Sequence, residues 1–320
     1  MNRCTVRSHS RLHMGFLDLN GNLGRKFGSI GVALENPAIV ITAEPATSIE
    51  ARGPDSARAI KYAERFYSRI PFQSGDRARL CIESMLPPHV GLGSGTQLAL
   101  TVGKALSLVH GVSCTTADIA AMMCRGKRSG AGIALFDRGG LVIDGGRRTD
   151  GKDTLPPLLF HSLLPESWRF VVAIPVINCE ICGEKEVEAF HELPDPPVDI
   201  PGSICREVLM RLLPAVEEED LAAFGSSVTS IQKKVGDCFF AAQSGRYASS
   251  LSGDIVEAMR KHGASGVGQS SWGPAVYGIV EGDIAAHKLT ETVRTLFDRD
   301  DTMQVFVSRA ARKGADWSIE

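Results

Sequence analysis

The sequence lacks the long apolar run of a membrane-spanning protein, since no stretch approaches the roughly 20 residues that a bilayer requires. Its start, Met1-Asn2-Arg3-Cys4-Thr5-Val6-Arg7, has no apolar segment of the signal-peptide kind. Net charge is also lacking. At −2 over 320 residues it gives no electrostatic footprint for nucleic acid or an anionic membrane. Any anionic ligand must therefore be met by local side chains and backbone amides. The eight cysteines are scattered through a chain too long to need stapling, so reduced thiols and a cytoplasmic location are expected. One pair, Cys179-Glu180-Ile181-Cys182, has redox or zinc spacing, but it lacks a second pair, a His cluster and a strand-to-helix setting. Ordinary thiols are the expectation there. Internal repeats and low-complexity tracts are absent.

What is present fits a soluble α+β protein of two domains, with 43% hydrophobic and 22% charged residues. Ala78, Leu80 and Ile82 alternate as in a half-buried strand. Ile30 to Leu34 and Ile39 to Thr42 are short β-type runs, with a turn expected at Glu35-Asn36-Pro37. Ile60, Ala63, Tyr67 and Ile70 have helical spacing, with Pro71 as the stop. Leu98, Val102, Ala105 and Val109 form a buried stripe closed by Gly111. Thr115 and Asp118 resemble a capping box. Strands are expected over Gly132 to Phe136 and Gly140 to Asp144. A polar linker over 149–157 sets domains at 1–153 and 154–320.

The second half opens on a strand, Phe170 to Ile174. Helices follow over Gly183 to Leu193, Ser203 to Leu213, Asp220 to Val235 and Arg246 to His262, with Glu217 to Asp220 as a solvated helix start. Strand, helix and strand close the chain over Ala275 to Val280, Asp283 to Leu296 and Met303 to Ser308. Strands with helices, then helices with a small sheet, fit two α+β domains better than one doubly wound sheet.

The main chemical signal is Pro87-Pro88-His89-Val90-Gly91-Leu92-Gly93-Ser94-Gly95-Thr96-Gln97, lying between a strand and a helix. Its glycines let successive N–H groups converge, and the helix N-terminus adds unpaired amides and partial positive charge. Ser94 and Thr96 can add hydroxyl donors. There is no Walker lysine and no dinucleotide G-x-G-x-x-G. A glycine-rich turn that serves only as helix entry is the plainer alternative.

This loop resembles the second motif of the GHMP kinases (galactokinase, homoserine, mevalonate and phosphomevalonate kinases), P-x-x-x-G-L-G-S-S-A, with Pro87 as the proline and Gly95-Thr96 in place of Ser-Ala. The stretch Gly266-Val267-Gly268-Gln269-Ser270-Ser271-Trp272-Gly273-Pro274-Ala275 resembles their C-terminal glycine motif. The resemblance implies a two-domain α+β fold: an N-terminal domain like ribosomal protein S5 domain 2, and a ferredoxin-like C-terminal domain. Mevalonate-kinase-like members carry a catalytic Asp in a Ser-Gly-x-Asp segment. Here Ser129-Gly130-Ala131-Gly132 puts a glycine at that place, where no side chain can take a proton or bind Mg²⁺.

The combination of Ser10 to Gly21, Leu23-Gly24-Arg25, Gly28-Ser29-Ile30-Gly31, Gly91 to Gln97, Gly126 to Gly146 and Gly268 to Pro274 resembles a narrower family on this fold. That family is β-ribofuranosylaminobenzene 5′-phosphate synthase, and the resemblance covers nearly the whole chain. It implies a pentosyltransferase that starts tetrahydromethanopterin biosynthesis. Phosphoribosyl pyrophosphate would alkylate the ring carbon of 4-aminobenzoate or 4-hydroxybenzoate, releasing pyrophosphate and CO₂, with Mg²⁺ bridging the pyrophosphate. A homodimer is implied too. An ATP-dependent small-molecule kinase and a non-catalytic ligand sensor are the alternatives.

Asp18 is the candidate catalytic or Mg²⁺-linked carboxylate, with a turn-capping Asp before Asn20-Gly21 as the plainer reading. Lys127 and Arg128 complete the candidate catalytic set. Arg11 and His13 share one side of an N-terminal strand and could bind a benzoate carboxylate or a phosphate. Arg25 and Lys26 suit a phosphate clamp. Gly91, Gly93, Ser94, Gly95 and Thr96 form the phosphate loop, with Ser94 a second candidate metal ligand. Ser270 and Ser271 offer hydroxyls, and Trp272 a stacking face or a core side chain. Glu184 and Glu188, one helical turn apart, are expected to be a surface pair.

Overall fold

The computed structural model describes residues 2–73, 75–152, 154–176, 194–243, 245–298 and 303–320. Cys179, Cys182, Glu184, Glu188 and the helix expected from Gly183 lie outside the described residues.

A long antiparallel hairpin, β1 (Cys4–Asp18) and β2 (Arg25–Ala46), is the spine of the molecule. It continues through β3 (Glu50–Arg52), α1 (Ser56–Arg69) and β4 (Arg77–Ser84). Then come α2 (Ser94–His110), α3 (Thr116–Met122), α4 (Ala131–Arg138), β5 (Leu141–Asp144), β6 (Arg147–Arg148) and β7 (Leu158–Ser162). The C-terminal half holds β8 (Trp168–Pro175), α5 (Asp199–Glu207), a π-helical turn (Val208–Leu212), α6 (Leu213–Glu217), α7 (Leu221–Cys238) and α8 (Phe240–Gln243). It ends with α9 (Ser250–Lys261), β9 (Gly266–Gln269), β10 (Val276–Glu281), α10 (Gly282–Phe297), β11 (Met303–Ser308) and β12 (Asp316–Ile319). Two sheets result. An eight-stranded one has β12-β1-β2-β4-β3 as its main path, and a four-stranded antiparallel one has the order β11-β8-β10-β9.

The turn expected at Glu35-Asn36-Pro37 is instead a bulge within a single strand. The register passes from Ser10↔Leu34 to His9↔Ala38, so residues 35–37 loop out of the ladder, and Pro37 is never asked for an N–H there. The bulge also separates two cores. Val6, Ile39 and Ile41 pack beneath α1–α3, while Leu12, Val32 and Leu34 pack against the C-terminal half.

The strand expected over Gly132 to Phe136 is also corrected, because this segment is helix α4. A short, glycine-dotted apolar run is ambiguous in period. Here Ala131 and Leu135, and Gly132 and Phe136, are buried four apart, as in a helix. The buried stripe of α2, its Gly111 cap and the Thr115–Asp118 capping box form as expected. Past the expected linker, β7 still pairs with β5, and β12 returns to β1. Both therefore belong to the first sheet.

Candidate active site

The two glycine-rich segments meet beside β1. A Cβ on Gly91 would lie 2.1 Å from the carbonyl oxygen of Ser270, and one on Gly273 2.1 Å from Val90 C. Such backbone-to-backbone packing admits only glycine, and Gly91 has φ +93° besides. The Ser270 hydroxyl accepts from His13 N at 3.0 Å and donates to Gly91 O at 2.7 Å. Ser271 N donates to His13 O at 3.2 Å. Arg11 staples the loop from the other side: its N–H donates to Leu92 O at 3.1 Å and its Nη1 to Gly91 O at 3.0 Å.

Next to this junction opens a cleft of about 640 Å³. Seven basic side chains line it, namely Arg11, Lys26, Arg125, Lys127, Arg128, Arg147 and Arg148, and among the described residues no carboxylate does. The near-neutral chain has thus gathered cations at one place. His13, Phe16 and Phe27 give the cleft an aromatic side, with ring centroids 4.5 Å apart for His13–Phe16 and 5.8 Å for Phe16–Phe27. Thr96, Ser129 and Ser271 supply hydroxyls, and Cys124 a thiol. A smaller hollow, sharing His13, Phe16 and Ser271, adds Phe239, Arg246 and Trp272.

Asp144 arranges the two basic loops. It is buried, and its Oδ2 accepts from Gly130 N at 3.0 Å and from Ser129 Oγ at 3.4 Å, while Oδ1 accepts from Gly146 N at 2.8 Å. One carboxylate therefore ties the Lys127–Arg128 loop to the Arg147–Arg148 loop. Burial raises its pKa, partly offset by these N–H donors. Arg125 is set by Tyr62, whose hydroxyl accepts from Arg125 Nη2 and donates to Gly95 O at 3.2 Å. Its Nη2 lies 3.7 Å from where a Gly95 Cβ would be, so this guanidinium faces the N-terminal turn of α2.

Of the residues singled out from the sequence, Arg11, His13, Lys26, Thr96, Lys127, Arg128 and Ser271 line the cleft. Others do not. Asp18 caps the hairpin turn, its Oδ1 accepting from Asn20 N at 2.7 Å and Gly21 N at 2.8 Å. Arg25 spends its guanidinium on Gly145 O and Gly146 O, at 2.7 and 2.8 Å, and its neighbour Lys26 lines the cleft with its Nζ donating to Asp195 Oδ1 at 2.5 Å. Ser270 is fully buried as the link between loops. Trp272 packs on Phe239 at 4.6 Å, at the smaller hollow. Ser94 is buried, and Gly91, Gly93 and Gly95 shape the turn into α2 without lining the cleft.

This donor set does not fit a protein-held Mg²⁺. Among the described residues the cleft lining has no carboxylate, and no three His, Cys, Asp or Glu side chains are grouped to hold a metal. Sequence reasoning missed Arg125, Arg147, Arg148, Phe16, Phe27 and Asp144. A signal existed for the basic ones: Gly126-Lys127-Arg128 and Gly146-Arg147-Arg148 repeat a glycine-bracketed basic doublet.

Two family models match the chain, GHMP kinases N terminal domain over residues 57–140 and GHMP kinases C terminal over 212–299. A protein of Archaeoglobus fulgidus, β-ribofuranosylphenol 5′-phosphate synthase, is 35% identical, with 98% of this chain and 99% of that one covered. The chain belongs to the β-ribofuranosylphenol 5′-phosphate synthase family. The family member of Methanocaldococcus jannaschii is 32% identical, with 92% and 93% covered. Homoserine kinase from Cytophaga hutchinsonii shares the fold of this family, with a TM-score of 0.70 at 15% identity over 99% of this chain and 98% of that one. Among the described residues no helix is long and apolar enough to cross a membrane.

Proposed function

We propose that the cleft condenses phosphoribosyl pyrophosphate with a 4-substituted benzoate, releasing pyrophosphate and CO₂ and leaving a C-riboside 5′-phosphate. The observation that carries this reading is the lining itself: seven basic side chains, no carboxylate among the described residues, and an aromatic side. The donor brings a 5′-phosphate and a pyrophosphate, and the acceptor brings a carboxylate. All three are anions that a cleft lined by cations attracts, although Lys26 and Arg148 already pair with Asp195 and Asp150. As the bond from ribosyl C1 to pyrophosphate breaks, negative charge grows on the departing oxygens, and fixed guanidinium groups stabilise it where it develops. The ring of the acceptor packs on Phe16 and Phe27, which orients its face toward ribosyl C1. Relatives named for a phenol product favour 4-hydroxybenzoate as the acceptor.

Phosphoryl transfer from ATP is the weaker reading. It calls for carboxylates to hold Mg²⁺ and to orient the attacking hydroxyl, and Gly132 stands where the related kinases carry their Asp. Incubation with phosphoribosyl pyrophosphate and 4-hydroxybenzoate labelled in its carboxyl group tests the proposal. Labelled CO₂ and pyrophosphate should appear in equal amounts without ATP. Folded protein that binds both substrates and releases neither product would refute it.

A further inference from the structure

We propose that His13 is a catalytic residue that accepts the hydrogen of the acceptor's para hydroxyl or amine, an inference that rests on the function proposed above. His13 sits on β1 with 3% of its surface exposed, and it lines both the main cleft and the smaller hollow. Its Nε2 has no hydrogen-bond partner among the described residues. Leaving a buried polar atom unpaired costs about 1–3 kcal/mol, so a ligand group that meets Nε2 recovers that cost. The Phe16 ring, 4.5 Å from the imidazole by centroid and also in the cleft lining, gives an arene a face to pack on beside that nitrogen.

The protonation state decides what His13 can do. Burial, with the Arg11 charge second, lowers its pKa to about 3. At neutral pH the ring is therefore uncharged, and one nitrogen carries a lone pair. An uncharged ring meets a carboxylate or phosphate as a hydrogen-bond donor and not as a counter-ion. Arg11 and Arg128, whose charges also act on it, are the groups suited to anions.

An uncharged acceptor is what the para group needs. The ring carbon bearing the carboxylate attacks ribosyl C1, and the C1–O bond breaks with its electron pair leaving on pyrophosphate. The para O–H bond then breaks, its electrons form the C=O of a cyclohexadienone, and the proton passes to Nε2. Next the bond from ring carbon to CO₂ breaks and its pair restores the aromatic ring. CO₂ departs, the former dienone oxygen becomes a phenolate, and it takes the proton back from Nε2. A weakly basic imidazole suffices, because an O-protonated dienone is a far stronger acid than an imidazolium.

The test compares 4-hydroxybenzoate with 4-methoxybenzoate, which has the same donor atom but no hydrogen on it. Wild-type protein should bind the hydroxy compound about tenfold more tightly, one hydrogen bond's worth. His13→Phe should lose that preference and about a hundredfold of CO₂ release, with phosphoribosyl pyrophosphate binding unchanged. Preference and turnover both retained in His13→Phe would overturn the proposal. Should that variant not fold, ¹⁵N-histidine-labelled wild-type protein gives the answer. A ring-nitrogen resonance at Nε2 that moves with the hydroxy and not the methoxy compound supports the role, and one that moves with neither removes it. Wild-type protein that releases no CO₂ from 4-hydroxybenzoate refutes the parent function, whereas release with His13 indifferent refutes only this inference.

Discussion

Thr96 fills the space that a side chain at Gly132 would need: a Cβ there would lie 3.2 Å from Thr96 Cγ2 and 3.8 Å from Gln97 Nε2. The two departures of this sequence from the kinase motifs are therefore one contact. Gly132→Asp should lower stability, and adding Thr96→Ala should restore part of it. A double-mutant cycle by thermal or denaturant unfolding should give a coupling of about 1 kcal/mol. Strict additivity would mean that the two positions are independent.

Asp144 should matter beyond its own burial, because one carboxylate holds Gly130 N, Gly146 N and Ser129 Oγ. Asp144→Ala leaves these donors unpaired, and a stability loss of about 2–4 kcal/mol is expected. Asp144→Asn keeps the shape but offers one acceptor oxygen. Its KM for phosphoribosyl pyrophosphate should rise about tenfold while kcat changes less, since the basic loops lose their spacing. Equal KM values in Asn and wild-type protein would count against this role.

The cationic lining should act chiefly on the phosphorylated substrate. Arg125→Gln, Lys127→Gln and Arg128→Gln are each expected to raise its KM about ten- to a hundredfold, as charge-assisted hydrogen bonds are lost. The benzoate KM should move less. Steady-state kinetics with each substrate varied in turn checks this, and a larger effect on the benzoate would reassign the residue.

Gly91 and Gly273 should tolerate no side chain. Gly91→Ala would set a Cβ 2.1 Å from Ser270 O at a positive φ, so a loss of at least about 3 kcal/mol is expected. Melting temperature and soluble yield report this directly, and a near-neutral Gly91→Ala would mean that the loops part easily.

His13 predicts an acid-sensitive fold. The unfolded residue takes a proton near its ordinary pKa of 6.5, while the folded one does so only at about 3. Stability from the uncharged buried ring is therefore fully present above pH 6.5 and is lost progressively as pH falls toward 3. The full loss is of the order of 5 kcal/mol, at about 1.4 kcal/mol per pKa unit. His13→Asn should flatten the dependence of melting temperature on pH between about 6.5 and 4. An unchanged slope would mean that another group controls it.

The sequence shows the fold through features with a fixed period or a fixed geometry. The stripe of α2 and the Thr115–Asp118 box are local patterns, and both form. Gly132 to Phe136 misled because five residues cannot distinguish period 2 from 3.6. Pro37 misled because a bulge removes the demand on its missing N–H, and the register that creates the bulge is non-local. At the site, glycine-bracketed cations such as Lys127 and Arg128 were legible from their position. Asp144 was not, since nothing local marks a strand-end carboxylate that binds two loops distant from each other. Asp18 stood out as an acid in an apolar run, and its Oδ1 accepts from the turn that follows it.

The most direct test of the central claim is a carbon and phosphorus balance on one reaction mixture. Carboxyl-labelled 4-hydroxybenzoate, phosphoribosyl pyrophosphate and the protein should give labelled CO₂, pyrophosphate and an acid-stable C-riboside in equal amounts, with added ATP untouched. ATP consumed while the label stays on the benzoate would contradict it.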